Sequence, residues 1–420
     1  MARIAFARGP RWSRFALGAD LAVFHLGMAF ASQQTLVPAF AERLGAPNIV
    51  IGLIPALMAV GWMLPSIFAA NYTQGLSRKL PFLLRWTILE RISYPILGFA
   101  AIFLAVQAPT LTLVLLIALL VLMTVIGGAL MPAWLDLIGK AVETTLRGRF
   151  FALSNGAGSL LGLIGAAAVG VILERYPYPL GYGICFLAGS VCLVVSFMFL
   201  ASVSEEPSAE TPRRDPLGVY LRRLPDLIRS DANLRRFLVA RALYVAGSMA
   251  SGFFTVYALK NLGAGDAVVG IFTTVMLASK LAGTLAAGWV ADRRGHVIVL
   301  VFGSVASGLA AIVALIATDV TLMYGAIALS GVNLASTDVS ALAVGLELGP
   351  ESERPTYIAI NNSWVAPFAL ISPLIGGALA DSFGYHSLFL VAAVISAIAV
   401  VAFLVFVEDP RHVAARRAVR

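Results

Sequence analysis

The stretch Gly288-Trp289-Val290-Ala291-Asp292-Arg293-Arg294-Gly295-His296 is a short charged segment between two long apolar runs. The run before it covers Ala267–Ala287 and the run after it covers Val297–Ala317, so each is long enough to cross a bilayer as a helix. Glycine permits the backbone angles of a tight turn, and paired arginines favour the cytoplasmic side of a membrane. The stretch therefore predicts two membrane helices joined by a tight, charged cytoplasmic turn.

The composition indicates a membrane protein. Hydrophobic residues make up 60% of the 420 positions and charged residues 12%, whereas soluble domains carry about 25% charged residues. The net charge of +8 does not indicate nucleic-acid binding, because the positive residues sort to one side of the membrane. No phosphate-binding loop, metal motif or nucleophile turn is present in the sequence, so neither an enzyme nor a cofactor is expected.

Twelve spans are predicted, at about 20 apolar residues per crossing. A polar, basic linker over residues 204–236 divides them six and six, so we expect an all-α membrane protein with six-helix bundles over residues 15–203 and 237–407. The predicted spans are Phe15–Phe40, Ile49–Ala70, Pro81–Val106, Thr110–Ile138, Phe150–Leu173, Leu180–Val203, Phe237–Leu259, Ala267–Val290, Val297–Ala317, Val320–Leu346, Pro355–Ala380 and Tyr385–Val407.

Lysine and arginine predict the orientation. When the arm (1–14), the linker and the tail (408–420) face the cytoplasm, only Arg43, Arg175 and Lys260 face outside. The inverted arrangement would violate the positive-inside rule. The prediction is a multi-pass protein of the cell (inner) membrane, in contact with lipid, with both termini cytoplasmic and a monomeric state.

The two halves of the chain repeat. Several residues recur at a constant offset in corresponding spans, which indicates duplicated six-helix halves that pivot about a site at the midplane. The matches are Leu44–Ala46 with Leu262–Ala264 and Gly52 with Gly270 at an offset of 218, then Asn155 with Asn362, Gly170 with Gly377 and Glu174 with Asp381 at 207.

Gly288–His296 resembles the Gly-x-x-x-Asp-Arg-x-Gly-Arg loop of the major facilitator superfamily, with His296 in the last basic position. The spans, the repeat, the linker and the segment Pro373–Gly377 followed by Ala380-Asp381 extend the resemblance over nearly the whole chain. The resemblance implies a secondary transporter for a small solute that works by alternating access, in which Asp292 and its arginines latch the cytoplasmic side against the start of span five. The candidate gating residues are Gly288, Asp292, Arg293, Gly295, Arg78, Arg147 and Arg149, with Asp20 and Arg241, which either bridge the halves or snorkel to the membrane edge.

Charged side chains inside the spans are candidates for solute binding or ion coupling, because a charge in lipid costs a few kcal/mol unless it is paired or hydrated. Lys280 and Asp338 form one predicted pair, which would bind an anionic group, couple protons or simply link two helices. Arg85, Glu90 and Arg91 in span three are interpreted as charges that compensate one another locally.

Polar side chains inside the spans are further candidates, because amides in lipid need partners and bond either a solute or another helix. His25, with an ordinary pKa of about 6.5, would couple protons or have a structural role. The remaining candidates are Gln33, Gln34, Asn155, Asn333, Asn361, Asn362 and Trp364.

Three functions fit these residues. An exporter of amphipathic compounds, with protons as the candidate coupling ion, is the favoured expectation. A nutrient permease that takes up a sugar or an organic anion is the alternative, since Lys280 and the amides could hold such a solute. A non-transporting membrane receptor is the alternative of another class, which the short linker disfavours.

Overall fold

The computed structural model describes residues 9–143, 146–207, 228–348 and 354–409, and within these ranges the regular structure is entirely helical. The first half contains α1 (Pro10–Ala29), α2 (Leu36–Arg43), α3 (Asn48–Gln74), α4 (Leu80–Arg91), α5 (Ser93–Phe103), α6 (Pro109–Ala141), α7 (Arg147–Arg175) and α8 (Leu180–Ala201). The second half contains α9 (Ala232–Gly247), a 3₁₀ segment (Ser248–Phe253), α10 (Phe254–Asn261), α11 (Ala267–Arg294), α12 (His296–Leu315), α13 (Val320–Leu348), α14 (Arg354–Phe383) and α15 (Tyr385–Phe406).

Ten helical stretches among the described residues are long and apolar enough to cross a membrane. They correspond to ten of the twelve predicted spans, and the chain is an all-α, multi-pass membrane protein. Spans one and three are each divided into two shorter helices, which the hydropathy pattern did not predict. Each second helix carries a proline in its first turn, Pro38 in α2 and Pro95 in α5, and a proline ring excludes the helical conformation of the preceding turn.

The helices form two compact units. Unit 1 comprises Met1–Gly45, Gly61–Asp215 and Asp266–Thr273, and unit 2 comprises Ala46–Val60, Pro216–Gly265 and Thr274–Arg420. Each unit therefore consists mainly of one half of the sequence, plus the first turns of one helix from the other half. The predicted division into bundles over residues 15–203 and 237–407 stays a prediction.

Unit 1 is built around α1, which packs against α7 and α8, while α4 packs against α6. Its buried core includes Leu17, Leu83, Leu130 and Leu137. A second cluster lies near the end of α2, where the Phe40 ring contacts the rings of Tyr178, Tyr182 and Phe186.

Unit 2 is built around α12, which packs against α13 and α15, while α9 packs against α14 and α15. Its core includes Phe237, Leu300, Val344 and Phe403, all fully or almost fully buried. A second aromatic cluster joins Tyr257 of α10 to the rings of Tyr385 and Phe389 in α15.

The sequence repeat corresponds to equivalent turns. Gly45 follows α2 and Gly263 follows α10, and both adopt the left-handed conformation, with φ of 80° and 65°. Only glycine enters this region without a steric penalty, so the repeated Leu-Gly-Ala motif encodes the same helix ending twice.

The repeated glycines inside the helices also make equivalent contacts. In unit 1, a side chain at Gly270 of α11 would collide with the backbone of Gly170 in α7. In unit 2, a side chain at Gly52 of α3 would collide with the Pro373 carbonyl of α14, and one at Gly377 would lie 2.5 Å from the Asn48 carbonyl. Small residues let helix backbones approach closely, so both units use the same device at corresponding positions.

The charged stretch after Ala287 forms an even shorter turn than the tight turn predicted from the sequence. α11 continues through Arg294, and the turn consists of Gly295 alone, with φ of 87°. Helix continues because no residue from Trp289 to Arg294 is a glycine or proline, and Arg293 lies over the Trp289 ring at 3.9 Å.

Candidate functional site

An ion pair lies in the middle of two membrane-length helices of unit 2. Lys280 Nζ of α11 is 2.7 Å from Asp338 Oδ2 of α13, and the two side chains are 37% and 53% exposed. Gly331 allows this approach, since a side chain there would lie 2.9 Å from the Lys280 backbone nitrogen. The expected pairing is present, and its role in transport stays a prediction.

Asn333 belongs to a network that ties three helices of unit 2 together. Its side-chain amide donates to the Tyr244 hydroxyl at 2.9 Å and to the Gly303 carbonyl at 3.0 Å. The Tyr244 hydroxyl also lies 2.8 Å from Thr337 Oγ1. Because the Asn333 amide hydrogens are used by protein partners, this geometry favours a structural role for Asn333 over solute binding.

Arg241 of α9 is buried in unit 2, with its guanidinium 4.8 Å from the centre of the Tyr244 ring. Its Nε and Nη1 atoms have no hydrogen-bond acceptor among the described residues. The cation–π contact with the Tyr244 ring is therefore the interaction that stabilises the Arg241 guanidinium among the described residues.

A cavity of about 270 Å³ lies within unit 1. Most of its wall is apolar or aromatic, and three charged side chains, Asp20, Glu90 and Arg91, line it. The other lining residues are Leu21, Phe24, His25, Trp62, Leu83, Thr87, Gly127, Leu130, Met131, Trp134 and Leu200. An apolar hollow with a few convergent polar groups is the usual form of a small-molecule site.

Asp20 is held firmly inside unit 1. Its Oδ1 accepts from Ser196 Oγ at 2.5 Å and from Arg91 Nη2 at 3.4 Å, and its Oδ2 accepts from Trp134 Nε1 at 3.3 Å. Arg91 also donates to the Leu193 carbonyl at 2.7 Å. Arg91 thus reaches from α4 to Asp20 of α1 for its direct contact, while the predicted local compensation by Glu90 is present as charge attraction without an ion pair.

Glu90 is 92% buried, with 8% of its surface exposed, and its Oε2 accepts from Thr87 Oγ1 at 3.1 Å. No lysine, arginine or histidine nitrogen lies within 4.0 Å of its carboxylate among the described residues. Glu90 thus has a side-chain partner but no ion-pair partner. A charged residue inside a predicted span is the sequence signal that indicates a functional role for Glu90. The sequence analysis instead interpreted Glu90 as part of a locally compensated group of charges.

Two polar candidates of span one lie in unit 1. His25 Nδ1 is 2.8 Å from the Leu21 carbonyl one turn earlier, and the ring borders the cavity. Gln33 lies in the break between α1 and α2, where it is 7% exposed, and neither atom of its side-chain amide has a partner among the described residues. Gln34 beside it is half-buried.

The remaining candidates do not converge on one place. Asn155 of α7 is exposed, Asn361 is buried with its Nδ2 3.5 Å from the Ala341 carbonyl, and Trp364 packs on Phe368 with ring centres 6.2 Å apart. The side chain of Asn362 lies outside the described residues.

The candidate gating residues lie near helix ends. Asp292 is exposed in the last turn of α11, Gly288 has open space around it, and Gly295 contacts the Asp409 carboxylate. Arg78 and Arg149 are exposed, and the side chain of Arg147 lies outside the described residues. Their gating role stays a prediction.

Two polar clusters join helix starts to their units. In unit 1, Asp266 before α11 accepts from Arg43 Nη2 at 2.7 Å and from the Tyr182 hydroxyl at 3.2 Å. In unit 2, Asp381 of α14 accepts from the backbone nitrogens of Asn48 and Ile49, both at 3.1 Å, and thereby caps α3. The sequence aligned Asp381 with Glu174 but did not predict either contact.

The sequence and the fold were compared with known proteins. Residues 236–420 match the family model described as Major Facilitator Superfamily, and no curated protein sequence matches the chain. A mutant of the nucleoside transporter NupG has a TM-score of 0.74 at 12% identity, covering 94% of this chain and 100% of that one. A bacterial homologue of the human lysosomal transporter Spinster has a TM-score of 0.72 at 13% identity, covering 96% and 98%. The D-xylose–proton symporter has a TM-score of 0.69 at 14% identity, covering 94% and 98%.

The fold is similar to the folds of these solved transporters, and the described residues include ten helical stretches that are long and apolar enough to cross a membrane. The similarity in sequence to the Major Facilitator Superfamily extends over residues 236–420, which lie in the second half of the chain. The subgroup is not identified by these similarities.

Proposed function

We propose that the protein exports small amphipathic compounds across the cell membrane by alternating access, with protons as the coupling ion. The cavity in unit 1 is the observation that carries this proposal. Its aromatic and apolar wall suits the apolar part of such a compound, and its charged groups suit a polar end. A sugar site would instead need many hydrogen-bonding groups along the wall.

The Lys280–Asp338 pair supports the coupling step. Both side chains are accessible although they lie in membrane-length helices, which is costly unless water or a solute reaches them. Protonation of Asp338 would release Lys280, so the pair can link proton movement to a change in unit 2. His25, at the cavity wall, is a second candidate for the same role.

A nutrient permease is the second candidate, and one observation favours it. The half-exposed Lys280 ammonium could exchange the Asp338 carboxylate for the carboxylate of an organic anion. In that case transport would run inward and would depend on an anionic solute.

Reconstituted vesicles test the proposal. Purified protein in proteoliposomes with an acidic lumen should accumulate a fluorescent amphipathic dye in the lumen, and dissipating the pH gradient should stop the accumulation. Empty liposomes with the same gradient are the control, because dyes can cross lipid unaided. Gradient-independent flux of sugars or organic anions, with no dye movement, would overturn the export proposal in favour of uptake.

A further inference from the structure

The charged groups of the cavity in unit 1 are unbalanced. Its wall contains two carboxyl groups, Asp20 and Glu90, and one guanidinium, Arg91. The Arg91 guanidinium is directed to Asp20 and to the Leu193 carbonyl, and it lies 5.5 Å from the centre of the Phe197 ring. The single guanidinium therefore faces two carboxyl groups, and the cavity wall carries one more carboxyl group than guanidinium.

Glu90 makes no ion pair within 4.0 Å among the described residues, and its surroundings form a binding place. A side-chain carbon built on Gly127 would lie 2.9 Å from Glu90 Oε1 and 3.3 Å from Trp62 Cζ2. The carboxylate of α4 and the indole of α3 thus approach the same point beside a residue of α6 that has no side chain. A buried carboxylate next to an aromatic ring attracts a cation through both charge and ring quadrupole.

We propose that this cavity binds an organic cation with an aromatic or apolar body, and that Glu90 and Trp62 hold its cationic head. Phe24, Met131 and Trp134, which line the same cavity, contact the apolar body. This proposal rests on the proposed function, because it names the class of compound that the exporter carries. Glu90 and Trp62 are binding residues in this proposal, whereas Asp20 is a positioning residue that accepts a hydrogen bond from Arg91.

Binding measurements on the full-length protein in detergent test the proposal without requiring transport. The probes are benzyltrimethylammonium, whose charge does not vary with pH, and neopentylbenzene, its neutral isostere. The wild type should bind the cation at least about tenfold more tightly than the neutral isostere, and Glu90→Gln should remove that preference, because the charge contact is lost. Trp62→Leu should weaken binding of the cation about fivefold, as expected for a cation–π contact.

Gly127→Ala provides an independent variant should Glu90→Gln fail to fold. Its methyl group would lie 2.9 Å from Glu90 Oε1, so it should displace the carboxylate from the Trp62 ring and weaken binding of the cation while both side chains keep their chemistry. Gly156→Ala is the matched control, because Gly156 lies in a helix of the same unit and a side chain there would meet no atom within 4 Å. Glu174→Gln, an exposed carboxyl group at the end of α7, controls for loss of charge alone.

The outcomes separate the two proposals. Equal affinity of the wild type for both probes, or undiminished preference for the cation in Glu90→Gln and in Gly127→Ala, would overturn the cation site. Dye export by the proteoliposomes would still support the exporter in that case. If binding depends on Glu90 but no compound is transported, the cation site stands and the export proposal fails.

Discussion

Arg43, the last residue of α2, donates to Asp266, which precedes α11, with Nη2 2.7 Å from Oδ1, although 223 residues separate them in sequence. Tyr182 donates to the same oxygen at 3.2 Å. The contact attaches the first turns of α11 to unit 1, while the rest of that helix from Thr274 onward belongs to unit 2.

Arg43→Ala should loosen the start of α11. The substitution removes two hydrogen bonds to a largely buried carboxylate and should cost about 1–3 kcal/mol. A cysteine placed at Gly265 should then react faster with a water-soluble maleimide, measured against the background of Cys185 and Cys192. Arg175→Ala, an exposed arginine at the end of α7, is the control and should leave the rate unchanged. An unchanged rate in Arg43→Ala would show that the pair does not hold this helix start.

Lys280 and Asp338 should be more important for transport than for stability. Either Lys280→Ala or Asp338→Asn leaves one unpaired charge in a span, at a cost of about 1 kcal/mol because both side chains are half exposed. The double variant removes both charges, so its melting temperature should return towards that of the wild type while flux stays low. Normal flux in the double variant would assign the pair a structural role only.

Asp292→Asn should slow turnover about tenfold and change solute affinity little. The residue is exposed in the last turn of α11 and is not among the residues that line the cavity in unit 1, so its proposed contribution is to latching rather than binding. Flux in proteoliposomes and equilibrium binding in detergent measure the two quantities separately, with Glu174→Gln as the control. Unchanged flux would remove Asp292 from the gate, and a matching loss of affinity would assign it to binding.

Glu205→Ala should destabilise unit 1. The Glu205 carboxylate accepts from the backbone nitrogens of Lys79 and Leu80 at 2.8 and 2.7 Å and from Lys140 Nζ at 2.8 Å. Its side chain is 2% exposed, so removal should cost about 2–4 kcal/mol and lower the melting temperature of the purified protein. Glu206→Ala changes the exposed neighbour and should have no measurable effect. Equal melting temperatures for the two variants would contradict the capping role.

The apolar runs and the repeat allowed the fold class and most helices to be predicted. The repeat also corresponded to physical contacts, since Gly45 and Gly263 share one turn conformation and Gly52 and Gly270 share one kind of close approach. Hydropathy averages over a window, however, and so it passed over the breaks before Pro38 and Pro95. The position of the turn within Gly288–His296 was predicted correctly. The predicted turn was longer than the observed one, because residues with good helix propensity continue the helix to Arg294.

The candidate site was predicted less well, for a different reason. The pairing of Lys280 with Asp338 could be predicted from the sequence because each is the single charged residue of its predicted span. Asp20 and Arg91 lie 71 residues apart, and only the packing of α8 against both α1 and α4 decides that Arg91 bonds to Asp20 rather than to the adjacent Glu90. A cavity depends on the same packing, so neither its wall nor the place of Glu90 in that wall follows from spacing along the chain.

The exchange of helix starts described for the two units constrains how the chain is made. Unit 1 lacks one of its packing surfaces until residues 266–273 have been synthesised, although the rest of it is present by residue 215. Residues 46–60 are synthesised early, but the helices of unit 2 against which they pack are synthesised only later. A ribosome that stalls in the middle of the chain would therefore leave two exposed helix faces, and a gene divided at the linker would yield fragments that are complete only together.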